Sequence, residues 1–219
     1  MSQLLQNRIM KVPSKLAMPA EQAFDVLCAC YLAEVRFRNR DFIFSEELSA
    51  KLKSVVFWLT NPSAKPWLLL CGSCGNGKST MAKALRQFFK LFPVNDPRDN
   101  SPMTLVMTDA KTISSFCRAE SKMYCDLMKK PMLAIDDLGI EPREIQLFGN
   151  ICTPLVDLLT DRYEEQRITV ITTNLTPAQI REHYGDRIAD RLNEMAEKIV
   201  FCNGTYRCEE KKNDCLTRK

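Results

Sequence analysis

The chain has 219 residues, 45% of them hydrophobic and 26% charged, with a formal net charge of +4. That length suits one core-bearing domain with an extension, and the composition excludes a disordered chain. The mild basic excess permits a polyanionic partner without demanding one, and no apolar run approaches the roughly 20 residues of a membrane helix, so no membrane partner is expected.

In chain order, the opening MSQLLQNRIMKVPSK has polar residues every few positions and no apolar core of export-signal type. A cytoplasmic setting is expected, with the ten cysteines reduced. Residues 16–35 carry Phe24, Leu27, Tyr31 and Leu32 near helical spacing. The basic stretch VRFRNRDF follows. Ser45, then Glu46 and Glu47, open a second helix over 46–60, because an acceptor and an acidic first turn suit a helix start. Asn61, Pro62 and Pro66 end it, so residues 1–60 read as a small helical extension.

From Trp67 onward, short apolar runs alternate with longer helical stretches. Strands are expected at 67–71, 104–108, 131–136, 167–173 and 197–202. Helices are expected at 79–91, 110–128 and 150–165, the last with Ile151, Leu155, Leu158 and Leu159 on one side. Near-continuous apolar strands separated by helices predict an α/β layer with a mostly parallel sheet. IEPREIQLFGN, 140–150, is an insertion of balanced charge. Thr176 and Pro177 open a further short helix. The tail, 208–219, is charged and expected to be solvated.

Gly72 to Thr80, GSCGNGKST, fits G-x-x-x-x-G-K-[ST] in full, after an apolar strand and before a helix. Gly72, Gly75 and Gly77 allow a tight turn that brings backbone N–H groups to phosphate oxygens, and Ser73, Cys74 and Asn76 complete that turn. The helix start adds free N–H groups and a positive dipole end. Lys78 is expected between the β and γ phosphates, the Ser79 hydroxyl on Mg²⁺ and Thr80 at the α phosphate. ATP or ADP with Mg²⁺ is the ligand this chemistry predicts.

MLAIDDLG closes an apolar strand on two acids, which are costly there unless they meet a cation or donors. Asp136 is the candidate Mg²⁺ partner, through water, and Asp137 the candidate for orienting the attacking water. The same pair also suits a strand cap before the turn at Gly139. RITVITTN ends in Thr172, Thr173 and Asn174. Asn174 is a candidate for holding the lytic water or sensing the γ phosphate, and such residues also end strands for ordinary turn reasons. Arg187 and Arg191 are four residues apart and share a helix face. One reading gives that face an extra cation for the transition state; the other pairs it with Asp186 and Asp190. Arg207 is a third cation.

Cys71-x-x-Cys74 has metal spacing, but Cys74 sits inside the phosphate loop, so ordinary thiols are expected. Cys202, Cys208 and Cys215 lack a nearby fourth ligand. Arg36, Arg38, Arg40, Lys51 and Lys53 interleave with Phe37, Phe42 and Phe44, as in a surface that stacks and neutralises single-stranded nucleic acid, or in an edge strand with one solvated side.

Together GSCGNGKST, LAIDDLG, VITTNLTPAQI, YGDRIADRLNEM and IVFCNGTYR resemble the AAA+ ATPases that load bacterial replicative helicases, and their relatives that assist insertion-sequence transposases (the DnaC-like and IstB-like proteins). The resemblance covers about residues 46–207. It implies a P-loop NTPase fold of AAA+ type with a parallel sheet in the order 5-1-4-3-2, Asp136 and Asp137 as Walker B, Asn174 as sensor 1 and Arg191 as a trans-acting arginine finger. It also implies weak, partner- or DNA-stimulated ATP hydrolysis, ATP-dependent self-association, contact with single-stranded DNA, and a helicase or transposase bound through the N-terminal region. On that reading 61–207 is the ATPase core, and 208–219 is too short for a complete helical lid. The competing functions are a P-loop small-molecule kinase, with 181–191 as the only lid candidate, and a nucleotide-gated adaptor that scarcely hydrolyses.

Overall fold

A computed structural model describes residues 16, 18–96, 100–119 and 122–202. The chain enters on α1 (Ala20–Phe37) and α2 (Glu46–Thr60). The Ser45 hydroxyl accepts the Leu48 N–H at 3.1 Å and so caps α2. Then come β1 (Trp67–Gly72), α3 (Lys78–Leu91), β2 (Val94–Asn95), β3 (Pro102–Met103), β4 (Val106–Asp109), α4 (Ala110–Arg118), α5 (Lys122–Lys129) and β5 (Met132–Leu138). The second half holds β6 (Ile145–Leu147), β7 (Asn150–Cys152), α6 (Pro154–Glu164), β8 (Ile168–Thr173), α7 (Pro177–Tyr184), α8 (Asp186–Met195) and β9 (Ala196–Phe201).

Five strands form a parallel sheet in the order β4-β5-β8-β1-β9. Because all run the same way, their carboxyl ends open on one edge, where open α/β sheets bind ligands. Side chains alternate across the sheet. Leu68, Leu70, Met132 and Ala134 face one layer with Leu27 of α1, Leu52 of α2 and Phe88 of α3. Trp67, Leu69, Leu133 and Ile135 face the other, against Ile113 of α4, Leu158 of α6 and Ile188 of α8. Both faces are covered, which explains the near-continuous apolar strands.

The structure differs from the sequence-based expectation in several elements. The helix expected over 150–165 is α6, Pro154–Glu164, and residues before it form the antiparallel β6–β7 hairpin. Phe148 and Gly149 make its two-residue turn, with φ of 49° and 80°. Both central residues are left-handed, which matches the twist of a two-residue hairpin. Ile151 is therefore an exposed strand residue, not a helix-face neighbour of Leu155. The helix expected over 110–128 is two, α4 and α5, and residues 120–121 lie outside the described ones. Strand β4 starts later than expected, and its last residue, Asp109, caps α4 by accepting the Thr112 N–H at 2.8 Å. The basic stretch is no edge strand: Arg36 and Phe37 finish α1, and no strand follows before α2. Lys51 leaves the proposed basic surface, buried against the Phe201 ring at 4.9 Å.

Candidate functional site

Three strand ends meet at the carboxyl edge. β1 runs into the loop 72–77 and α3, β5 ends on the two acids, and β8, which ends on Thr172 and Thr173, lies between β5 and β1.

The loop turns on Gly72, Gly75 and Gly77, with φ of 136°, 84° and 98°, conformations that glycine takes without steric cost. At Gly72 the reason is also packing: a Cβ would lie 2.2 Å from the Phe201 carbonyl oxygen of β9. Lys78 opens α3 and is buried. Its ammonium donates to the carbonyls of Gly72 at 2.9 Å and Ser73 at 2.6 Å, and to Asn76 Oδ1 at 3.1 Å. Asn76 is buried and donates to the Phe201 carbonyl. Ser73 and Cys74 are exposed, Ser79 is half-buried and Thr80 is buried. The Thr80 hydroxyl accepts Arg38 Nη1–H at 2.8 Å.

Asp136 and Asp137 sit on a bulge. The register with β8 shifts between Ile135 and Leu138, and Asp137 adopts φ 53°. Left-handed backbone is uncommon for a residue with a side chain, and aspartate tolerates it better than most. Thr172 holds the bulge together. Its fully buried hydroxyl accepts the Asp137 N–H at 2.8 Å and donates to Asp136 Oδ1 at 2.6 Å. Thr173 donates to the Leu138 carbonyl at 2.7 Å and accepts the Leu175 N–H at 3.1 Å. Asn174 is exposed just past the end of β8.

Beyond the bulge the chain is braced. Glu141 is buried and accepts the Gly139 N–H at 2.9 Å and the Tyr184 hydroxyl of α7. Burial, with Glu141 beside it, holds the Tyr184 hydroxyl well above its ordinary value. Burial also lowers His183, and the nearby Glu141 carboxylate offsets only part of that.

The two arginines of α8 have different surroundings. Arg191 is buried, donates to Thr160 Oγ1 at 2.9 Å and Glu164 Oε1 at 2.7 Å, and lies 4.4 Å from the Tyr163 ring centre. Arg187 is exposed. Asp186 and Asp190 pair with Arg181 of α7 instead. Arg207, Cys208 and Cys215 lie outside the described residues. Neither Cys71 nor Cys74 is part of a disulfide. Among the described residues no cluster of His, Cys, Asp or Glu could hold a metal ion by itself, and no helix is long and apolar enough to cross a membrane.

The edge thus gathers the loop, the acids and the end of β8, and leaves Arg191 tied elsewhere. The bridging role of Thr172 and the reach of Arg38 were not expected. Thr172 was legible only as a strand end and Arg38 only as one charge of a basic stretch. Neither contact is signalled by spacing, since the partners lie 36 and 42 residues away.

The chain matches the IstB-like ATP binding protein family over residues 26–214. No curated protein matches it. Among solved structures, a DnaC helicase loader aligns with TM-score 0.54 at 21% identity, covering 74% of this chain and 93% of that one. DnaI aligns with TM-score 0.55 at 20% identity, over 87% and 95% of the two chains. AMPPCP-bound DnaA from Aquifex aeolicus aligns with TM-score 0.52 at 15% identity, over 72% of this chain and 48% of that one. At such identities the likeness is one of fold: an α/β P-loop NTPase, parallel sheet flanked by helices, consistent with AAA+ architecture.

Proposed function

Since this chain belongs to the IstB-like ATP binding protein family, we propose that it is an AAA+ ATPase that acts on DNA, loading or remodelling a replicative helicase or a transposase. The observation that carries the reading is the Thr172 hydroxyl, which fastens both acids to the strand lying beside the glycine loop. A donor set of this chemistry suits Mg·ATP. The loop N–H groups, Lys78 and the start of α3 would take the phosphates of ATP or ADP. The acceptors of Lys78 include neutral carbonyls and an amide oxygen, and an anionic phosphate oxygen outcompetes acceptors of that kind. Ser79 and Asp136 would supply the hard oxygen ligands Mg²⁺ requires, Asp136 partly through water. The ion would neutralise charge on the β and γ oxygens.

Asp137 then serves as the acid that orients water, and Asn174 as the group that contacts that water or the γ phosphate. Arg191 is the proposed cation in trans, and for that it must exchange Glu164 for a neighbour's phosphate. Residues 1–60 are proposed as the partner-binding region, 61–207 as the ATPase core in an AAA+ strand order, and 208–219 as a charged tail. Single-stranded DNA and an ATP-dependent homo-oligomer belong to the same reading, in a cytoplasmic setting. The solved DnaC is named a helicase loader, which motivates the choice of partner class.

Phosphate release with and without single-stranded DNA tests the proposal. Stimulated Mg·ATP turnover that Asp137→Asn slows while nucleotide binding persists is the expected result. Turnover that depends on a metabolite and ignores DNA would replace the proposal with a kinase. Tight binding without turnover under any condition would leave a nucleotide-gated adaptor.

A further inference from the structure

Helix α1 packs along α3 in the same apolar layer, with Leu27 and Phe88 both fully buried there. Two polar contacts mark their relative direction. Gln87 Nε2 donates to Glu34 Oε1 at 3.3 Å, and four residues later on α1 the Arg38 guanidinium reaches Thr80 at 2.8 Å. The helices therefore run antiparallel, and the carboxyl end of α1 stops beside the first turn of α3, where the phosphate loop ends. Arg38 is the C-cap residue of α1 and is exposed. It makes no ion pair with any described residue.

A cation beside the positive end of a helix, against the same first turn that carries Lys78, is held there against repulsion. A neutral hydroxyl compensates that poorly; a polyphosphate compensates it well. The hydrogen bond has a direction that matters. Thr80 Oγ1 accepts from Arg38, so its own proton is left to donate, and an oxygen that accepts from a cation donates more strongly. Four of the five guanidinium N–H donors also remain beyond that one bond.

We propose that Arg38 is a nucleotide-binding residue: it primes the Thr80 hydroxyl toward the α-phosphate side of the ligand and adds a cation there, tying α1 directly to the bound nucleotide. The proposal deepens the nucleotide reading above and rests on it. Because the α and β phosphates are common to both ligands, Arg38 should serve ADP and triphosphate alike, whereas Lys78 favours the triphosphate.

Calorimetric titration of the full chain with Mg·ADP and Mg·AMPPCP tests this. Arg38→Ala should weaken both by a similar factor, about tenfold for one charge-assisted contact. Arg38→Gln, which keeps a donor for Thr80 without the charge, should lose most of the same affinity. Thr80→Val combined with Arg38→Ala should cost less than the two single losses summed, since one acts through the other. Folded Arg38→Ala that binds both ligands like the wild type overturns the proposal, even if its melting temperature falls, because Arg38 is then only a staple between helices. Loss confined to AMPPCP overturns it too, by moving the contact to the γ phosphate. Wild type that binds neither ligand overturns the nucleotide reading itself and this inference with it.

Discussion

Thr172 is the residue on which the candidate site turns. An aspartate at φ 53° on a bulged strand end stores strain, and such strain persists only where surrounding bonds over-determine it. Here one buried hydroxyl supplies two of those bonds. Thr172→Ala should remove the acceptor of the Asp137 N–H and the donor to Asp136 Oδ1. Expected is a tenfold to hundredfold drop in turnover, the scale of roughly 1.5–3 kcal/mol for a hydrogen bond to a charged group, with Mg·ADP affinity nearly kept. Thr172→Ser should restore turnover, and equal damage by both would mean that the methyl group's packing, not the hydroxyl, matters. Lys78→Ala should act differently, weakening triphosphate binding by at least tenfold in the same titration. The loop was legible because phosphate chemistry dictates residue type at fixed spacing, so Gly72, Gly77, Lys78 and Ser79 announce themselves. Thr172 did not, because its meaning depends on strand adjacency, and threonine at a strand end is ordinary.

Among the elements, the strands of the sheet were legible within a residue or two, since burial on both faces writes continuous apolar runs. The β6–β7 hairpin was not. LFGNIC carries apolar residues that fit a helix face as well as a short strand, and Phe-Gly is a weaker turn signal than Asn-Gly. The brace between the acid strand and α7 was also hidden, because it is built from side chains far apart in sequence: Glu141, Tyr184 and His183. It has a consequence for pH. Burial keeps the His183 imidazole below its ordinary value of 6.5, with Glu141 and Glu182 opposing and Arg143 assisting. The unfolded chain therefore binds more protons just below pH 6.5, so this group's contribution to stability is present above that value and is lost as pH falls. Urea midpoints should drop between about pH 7 and 5, and His183→Gln should flatten that limb. An unchanged slope in the variant would assign the acid sensitivity to other groups. Arg162 is a second hidden element contact. Wholly buried, it donates to Thr169 Oγ1 and to the carbonyls of Lys130 and Ile168, joining α6 to β8. Its truncation to Ala removes the donor to those acceptors and should cost about 1–3 kcal/mol for each one left unsatisfied, read by chemical denaturation.

For the whole molecule, α1 and α2 share an apolar layer with the strands that carry the candidate site, the continuity that the proposed reporting of ATP to a partner would require. The other face of the sheet, where α8 packs, raises the question of assembly. Spacing puts Arg191 and Arg187 on one helix face, with the family resemblance favouring Arg191 as the finger and Arg187 as its weaker neighbour, yet folding buries Arg191 against Glu164 and leaves Arg187 exposed. That split changes how an interface role must be tested. Arg191→Ala removes two hydrogen bonds and a ring contact within its own subunit, so it should destabilise the fold by roughly 1–3 kcal/mol before any assembly is considered. Arg187→Ala should leave the melting temperature within about a degree, as exposed substitutions usually do. Each variant is then mixed with Asp137→Asn subunits. If an arginine acts across an interface, a pair containing one intact acid and one intact arginine regains part of the lost turnover. Rescue with Arg191→Ala requires that the Glu164 pair opens when subunits meet, and Glu164→Gln, which weakens that pair, should then raise turnover at low protein concentration. Rescue with Arg187→Ala alone would move the role one turn earlier on α8. Rescue with neither, in mixed oligomers verified by mass, would remove the interfacial arginine from this protein's mechanism.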